Sequence, residues 1–451
     1  MLFRSTAPPA LTPPVAFKET GLWQRAAAVK PSAAAVPDAW WTMFADPVLD
    51  DLQRRLIIDN ESLKAAVAQV AAARATLNAS RATELPTLML SPGISRAGSP
   101  SAASGQRVNN TSLSLGASAS WELDLWGRLA QGTAASEARL QASSDDLAAA
   151  RLSAQATLTQ TYFSLRGSEA QGHLIERSIA AYQRAFELTQ SRYSAGVAAR
   201  ADVIQAEAQL KSAQAQLIEA RAQRAQLEHA IAVLLGQPPS ALTLPVTAQL
   251  PDAPAVPELL PATLLERRPD IAAAERRVAA AYAQIGVADA AFFPALTLSA
   301  TAGLRGSALS SLFSASSLYW SLGTAVAQTL FDGGARRAAS DQARAAADTA
   351  VANYRQTVLT ALQEVEDNLV LADQLKRERQ LQSESLQLSQ RSLEIVTEQY
   401  RAGTVSYLNV VTAQNAALAS EQAVLTLRNR ELAAVNQLLK NVAGHWQATA
   451  P

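Results

Sequence analysis

The sequence predicts a mostly α-helical, tandem-duplicated chain that contributes four membrane β-strands to a barrel closed between subunits. Three observations predict it. Polar–apolar alternation recurs in two pairs of segments of membrane-crossing length, helical heptads repeat at an offset of 208 residues, and two long spans hold no proline. Alternation is the period of a strand with one apolar face, and a spacing of seven is the period of a helical seam.

Residues 1–47 hold seven prolines and read as an extended N-terminal arm, with Trp40 and Trp41 anchoring it to the body. From Pro47 a helical pattern begins, and Leu56, Leu63, Val70 and Leu77 stand seven apart. This opens a first repeat over 48–236. Its strand pair lies at about 86–126. The cleaner member is Ser112–Trp126, with Leu113, Leu115, Ala117, Ala119, Trp121, Leu123 and Leu125 alternating with Ser112, Ser114, Gly116, Ser118, Ser120, Glu122 and Asp124. Leu88, Leu90 and Ile94 alternate more weakly. One such strand also fits a soluble sheet with a wet face, but four in two pairs within a helical chain point to a membrane barrel. Trp121 and Trp126 then sit where aromatic girdles sit. A proline-free helical hairpin follows, turning at Arg192-Tyr193-Ser194-Ala195-Gly196, with its tip near 193–203.

The second half repeats this order. Leu264, Ile271, Val278 and Ile285 match the first heptad positions, and Pro294, Leu296 and Leu298 match Pro86, Leu88 and Leu90. A register held this long marks a tandem duplication. Pro-rich residues 237–263 link the halves, 264–443 form the second repeat and 444–451 a tail. The second strand pair, about 294–331, carries Tyr319, Trp320 and Phe331 as its interface aromatics. Arg96–Asn110 and Arg305–Ser317 read as exposed hairpin loops. The second tip lies near 400–410, after Gln399-Tyr400-Arg401-Ala402-Gly403. Each segment from strand end to tip turn is about 65 residues, or about 100 Å of helix. Val358, Leu362, Val365, Leu369 and Ala372 form one seam, and Leu418, Leu425, Leu432 and Leu439 another.

Four membrane strands cannot stand alone, because an open sheet edge in lipid leaves backbone groups unpaired. Barrels start near eight strands, so the strands must be shared: three subunits make twelve, four make sixteen. The helices continue from the strand ends, so the assembly becomes a tube.

The 451 residues are 49% apolar, with 39 basic and 39 acidic side chains. That balance gives no argument for nucleic acid or for a polybasic headgroup patch. No cysteine is present, so disulfides and thiolate metal sites are excluded. His173, His229 and His445 lack ligand-spaced neighbours. Gly167–Ser168 is no nucleophile elbow, and Phe331–Arg337 has glycines without a phosphate-binding pattern. We therefore expect no enzyme, and no catalytic, cofactor or metal residues. No apolar run reaches the ~20 residues of a membrane helix. The opening MLFRSTAPPA lacks a signal-peptide core, which leaves an intracellular chain or one whose export signal has been removed.

Trp121–Arg128 (WELDLWGR), the two glycine turns with their following ADV and YLNVV segments, Glu266–Ile271 (ERRPDI), the GHW at 444–446 and the AWW start at Ala39 together resemble the TolC/OprM-like outer-membrane efflux proteins over about 38–447. The start looks like the NodT-type branch serving RND-type pumps. The resemblance implies a homotrimer, hence twelve strands, a periplasmic helical barrel and an equatorial ring built from the linker and termini. It implies a periplasmic adaptor (membrane fusion) protein, an inner-membrane RND-type transporter and outer-membrane lipid of a Gram-negative bacterium as surroundings. The function implied is a passive conduit exporting drugs and toxic small molecules. A type I protein-secretion conduit and a periplasmic coiled-coil adaptor or scaffold are the alternatives. Members of that branch carry a lipidated cysteine after a signal peptide, and this sequence has no cysteine.

At the tips, Gly196 and Gly403 are expected in left-handed conformations, with the next helices starting near Asp202 and Ser406. In relatives, a leucine and an aspartate one turn later narrow the closed mouth. Leu408 matches the leucine, while Thr412 stands in the aspartate's place. Leu408 with Tyr407, Asn409 and Thr412 is the gate candidate. Asp202 is either a gate residue or a helix-start acid. Arg192, Tyr193, Tyr400 and Arg401 are candidate locks between hairpins, or else solvated helix ends.

Overall fold

The structure is a computed structural model, and it describes residues 14, 17–19, 37–100, 107–247, 249–255 and 268–442. A short 3-10 turn, Trp40–Phe44, leads into α1 (Pro47–Asp59). Asp46 starts α1 by accepting from the Val48 and Leu49 amides at 2.9 and 3.2 Å, with Pro47 at the first helical position. The heptad pattern predicts one unbroken helix from here, yet the chain breaks at Asn60. Asn60 Oδ1 accepts from the Leu63 amide, opening α2 (Glu61–Ala82), and its Nδ2 donates to the Leu234 carbonyl.

β1 (Thr87–Pro100) and β2 (Arg107–Leu123) form the first hairpin, followed by α3 (Arg128–Ser194) and α4 (Arg200–Leu234). After the linker come α5 (Pro269–Ala290), β3 (Ala295–Gly306), β4 (Leu318–Ala327), α6 (Ala335–Arg401) and α7 (Tyr407–Val442). Helices α3 and α6 are each 67 residues long. His445, Leu264 and most of the first arm lie outside the described residues.

The four strands form one antiparallel sheet in the order β1-β2-β3-β4. The two halves of the duplication therefore meet at the β2–β3 pair, in the register Leu115↔Leu304 and Trp121↔Leu298. Two boundaries differ from those the alternation predicts. The ladder continues through Arg96↔Thr111 to Pro100↔Arg107, so the strands take in most of the stretch expected as a loop. Polar residues pair there as readily as apolar ones, because backbone groups make the ladder. At the other end β2 stops at Leu123 and β4 at Ala327, so Leu125, Trp126, Leu330 and Phe331 lie past the strands.

Strand-to-helix turns in both halves use an aspartate. Asp124 Oδ2 accepts from the Ala130 amide at 2.8 Å, and Asp332 accepts from the Gly334 and Arg336 amides at 3.0 and 3.2 Å. The Arg336 side chain on Asp332, 2.6 Å away, and these amides hold that carboxyl below its usual pKa.

The chain divides into two compact units. Among the described residues, one comprises the sheet with those of 68–145 and 273–356; the other comprises those of 12–67, 146–272 and 357–442. The second unit holds the main core, in which Trp40, Leu49, Leu52, Leu56, Tyr162, Phe163, Leu432 and Leu439 are buried together. The indole of Trp40 donates to Asn436 Oδ1 at 3.2 Å and meets Trp41 edge-on. That contact ties the 3-10 turn to α7.

Candidate functional site

Two regions of the fold present side chains suited to a conduit: the turns at the helix ends and the four-stranded sheet. At the first turn, the Val197 amide donates to the Arg192 carbonyl at 2.8 Å and the Gly196 amide to that of Tyr193 at 2.9 Å. At the second, Thr404 donates to Gln399 at 2.9 Å and Gly403 to Tyr400 at 3.0 Å. These are Schellman closures, which need a left-handed residue, and Gly196 and Gly403 have φ of 75° and 79°. The duplicated glycines thus end α3 and α6 in the same way.

Arg192 joins the two turns. Its Nη1 donates to the Tyr400 carbonyl at 2.6 Å, and its guanidinium lies 4.6 Å from the centre of the Tyr400 ring. Tyr400 packs on Tyr407 with ring centres 5.5 Å apart, over Ala206, Val410 and Val411. Arg401 pairs with Glu398 on its own helix. Leu408, Tyr193, Val197 and Ile204 are exposed apolar side chains around this cluster.

Asn409 and Thr412 are exposed too, and the Thr412 hydroxyl donates to the Leu408 carbonyl at 2.9 Å. Asp202 lies in the first turn of α4, where an acid complements the helix dipole, while the capping position is Ala199. Tyr407 departs from its expected place beside Leu408 in the gate. It is 1% exposed, because position 407 faces Tyr400 while 408 faces outward. Burial, and then the neighbouring Tyr400, push its phenol up to about 12.

In the sheet, register sorts every residue to a face. One face carries Leu88, Leu90, Ile94, Leu113, Leu115, Ala117, Trp121, Leu298, Leu304, Leu318, Trp320, Leu322 and Val326. The other carries mostly Ser, Thr, Gly and Ala, together with Met89, Glu122, Arg305 and Tyr319, and has a Thr301–Ser321 hydroxyl pair at 2.7 Å. Trp121 and Trp126 donate their indole N–H groups to the Glu84 and Pro294 carbonyls at 2.8 and 2.7 Å. Trp126 also stacks on Phe293, and Phe331 is exposed just past β4.

Tyr319 does not join Trp320 as an interface aromatic, contrary to the expectation from their positions in the chain. Adjacent strand residues point to opposite faces, and Tyr319 belongs to the polar one. Its hydroxyl lies over Gly303 and Gly116, where an added Cβ would stand 2.8 and 2.7 Å from Tyr319 Oη. The paired glycines leave the groove that the ring fills.

The outer strands β1 and β4 each pair on one side only. That pattern of edges, faces and duplicated hairpins coincides with a sequence match. Residues 52–237 and 260–444 match the family described as Outer membrane efflux protein.

The chain belongs to the outer membrane efflux protein family.

Its relatives include the pyoverdine export outer membrane protein OpmQ of Pseudomonas aeruginosa, 32% identical over 94% of this chain and 91% of that protein. Outer membrane protein OprJ of the same species is 31% identical over 94% and 90%. Among solved structures, the outer-membrane channel OprN matches with a TM-score of 0.90 at 30% identity, covering 98% of this chain and 99% of that one. The open state of the Neisseria gonorrhoeae MtrE outer membrane channel matches at 0.84 and 27% identity, over 97% and 98%.

In this outer membrane efflux protein, residues 244–247 and 250–252 of the linker are clasped by charges on the helices, a feature that no sequence pattern marks. Glu228 accepts from the Leu244 amide at 2.7 Å and Glu169 from the Thr247 amide at 3.1 Å. Arg224 and Arg166 donate to the Leu244 and Pro245 carbonyls at 2.9 and 2.7 Å, and Arg428 to that of Leu250 at 2.8 Å. The Arg166–Glu169 pair is almost wholly buried, at 3% and 0% side-chain exposure. Tyr162, whose ring lies under Arg166, donates to Asp46 at 2.6 Å. Among the described residues no metal-holding cluster is present, and His173 and His229 are exposed. Gly167 lets α3 approach Asn429 of α7, where an added Cβ would stand 3.1 Å from Asn429 Nδ2.

Proposed function

We propose that the chain is the outer-membrane channel of a tripartite efflux pump, a passive trimeric conduit that exports small molecules. The observation that carries this reading is the sheet itself: one apolar face, one polar face and two unpaired edges, in a member of the outer membrane efflux protein family. In lipid the β4 edge of one copy needs the β1 edge of the next. Three copies give twelve strands, with the apolar face toward lipid and the Ser/Thr face toward the lumen. No described helix is long and apolar enough to cross a membrane.

The helices then extend into the periplasm of a Gram-negative cell. Their turns meet a periplasmic adaptor, with an inner-membrane RND-type transporter supplying the energy. Leu408, exposed on the first turn of α7, is the gate residue of this reading, and Arg192, Tyr400 and Tyr407 form the packed support behind it. Neither hydrolysis nor group transfer is assigned to the chain.

Purified protein in planar bilayers tests this. Small, mostly closed currents in the parent and larger leak currents in Leu408→Ala, with the oligomer unchanged in size, are the expected result. A protein that forms no pores in either form contradicts the conduit.

A further inference from the structure

The strands are charged in an uneven way. No Asp or Glu lies between Glu84 and Glu122, nor between Asp289 and Asp332, while Arg96, Arg107 and Arg305 do lie there. All acids flanking the sheet stand at its helix end, where Glu122 is paired with Arg128 and Asp332 with Arg336. All three cations stand toward the hairpin loops: Arg96 pairs with Thr111, Arg107 with Pro100 and Arg305 with Ser114, each beyond the Leu115↔Leu304 level. A chain neutral overall thus has a positive loop end on its sheet.

Arg305 is placed differently from Arg96. Arg96 shares the face of Ile94 and Leu113, whereas Arg305 shares the polar face with Ser114, Gly303 and Tyr319. On that face, Arg305 is exposed and its guanidinium lies 5.5 Å from the centre of the Tyr319 ring. Tyr319 is itself seated in the groove left by Gly303 and Gly116. A cation over an aromatic face is held by the ring's quadrupole and keeps its donors free for an anion. The remaining polar-face residues at this level are small and uncharged, and the one carboxylate on that face of the described sheet, Glu122, stands at its far end beside Arg128, so none offsets it here.

We infer that Arg305, positioned by Tyr319, forms a cationic ring on the inner wall near the outer mouth, biasing the conduit toward anionic solutes such as carboxylates and organic phosphates. This rests on the trimeric barrel reading, which brings three copies of Arg305 around one lumen. Arg305 acts on the solute directly, and Tyr319 is a positioning residue.

The absence of cysteine from the sequence supplies the test. Ser114→Cys places one thiol on the polar face directly across from Arg305, and Leu322→Cys places one on the apolar face. Each protein is reconstituted in lipid vesicles and treated with anionic sulfonatoethyl or cationic trimethylammonioethyl methanethiosulfonate at ~10 mM salt, where screening is weak. Intact mass gives the modification rates. For Ser114→Cys, adding Arg305→Gln should lower the anion-to-cation rate ratio about fivefold, since the two reagents feel the lost charge with opposite sign. Arg305→Lys should retain the ratio, and Tyr319→Leu should lower it in part. A ratio unmoved by Arg305→Gln overturns the ring. If instead Leu322→Cys reacts as fast as Ser114→Cys in lipid, the apolar face is not lipid-covered, and the barrel reading fails with the ring.

Discussion

Tyr407 and Leu408 are neighbours that do opposite jobs, one buried under Tyr400 and the other 55% exposed. Their substitutions should therefore part company. Leu408→Ala removes no core packing and should raise conductance without loosening the oligomer. Tyr407→Phe keeps the ring and should leave conductance alone, while removing a phenol that ionises late. The sign is fixed by burial: Tyr407 holds its proton to about pH 12 when folded and to about pH 10 when unfolded. The stability it contributes is complete below about pH 10 and is lost as pH rises toward 12. A phenolate absorbance titration should show one late-titrating tyrosine fewer in Tyr407→Phe. An unchanged late fraction would mean that Tyr407 is not buried. Sequence alone places Tyr407 in the gate because spacing locates a turn, whereas the facing of its first residues depends on a partner 208 residues upstream, Arg192 on Tyr400.

At the scale of elements, the alternating strands, the glycine turns and the heptad seams are readable in the sequence, because each is a local pattern written in neighbouring residues. Gly196 and Gly403 close their helices as their positions in the duplicated turns imply. The break at Asn60 is not readable, since it depends on the distant Leu234 carbonyl. Nor is the clasp on the linker, whose bonds join residues as far as 178 apart. Proline content marks residues 237–263 as irregular but cannot say what they bind. The clasp makes two predictions. Glu169→Ala leaves the buried Arg166 without its carboxylate and should cost about 3–5 kcal/mol, seen as a lower unfolding midpoint. Glu228→Ala should speed hydrogen exchange at the Leu244 amide, which donates to it, more than at distant helix amides. Equal exchange in parent and variant would show that the linker is held by other contacts.

The whole molecule faces one difficulty that its alternating segments already imply: four membrane strands with two open edges. The sheet order β1-β2-β3-β4 leaves those edges on β1 and β4, at opposite sides, so one copy's last strand can meet the next copy's first. Composition does not fix the number of copies, because twelve and sixteen strands both close a barrel. The measurement that bears most directly on this account is the native mass of the detergent-solubilised complex. Three chains per particle, insoluble once detergent is withdrawn, is the predicted result. A water-soluble single chain, or a particle of four, would contradict the twelve-stranded conduit.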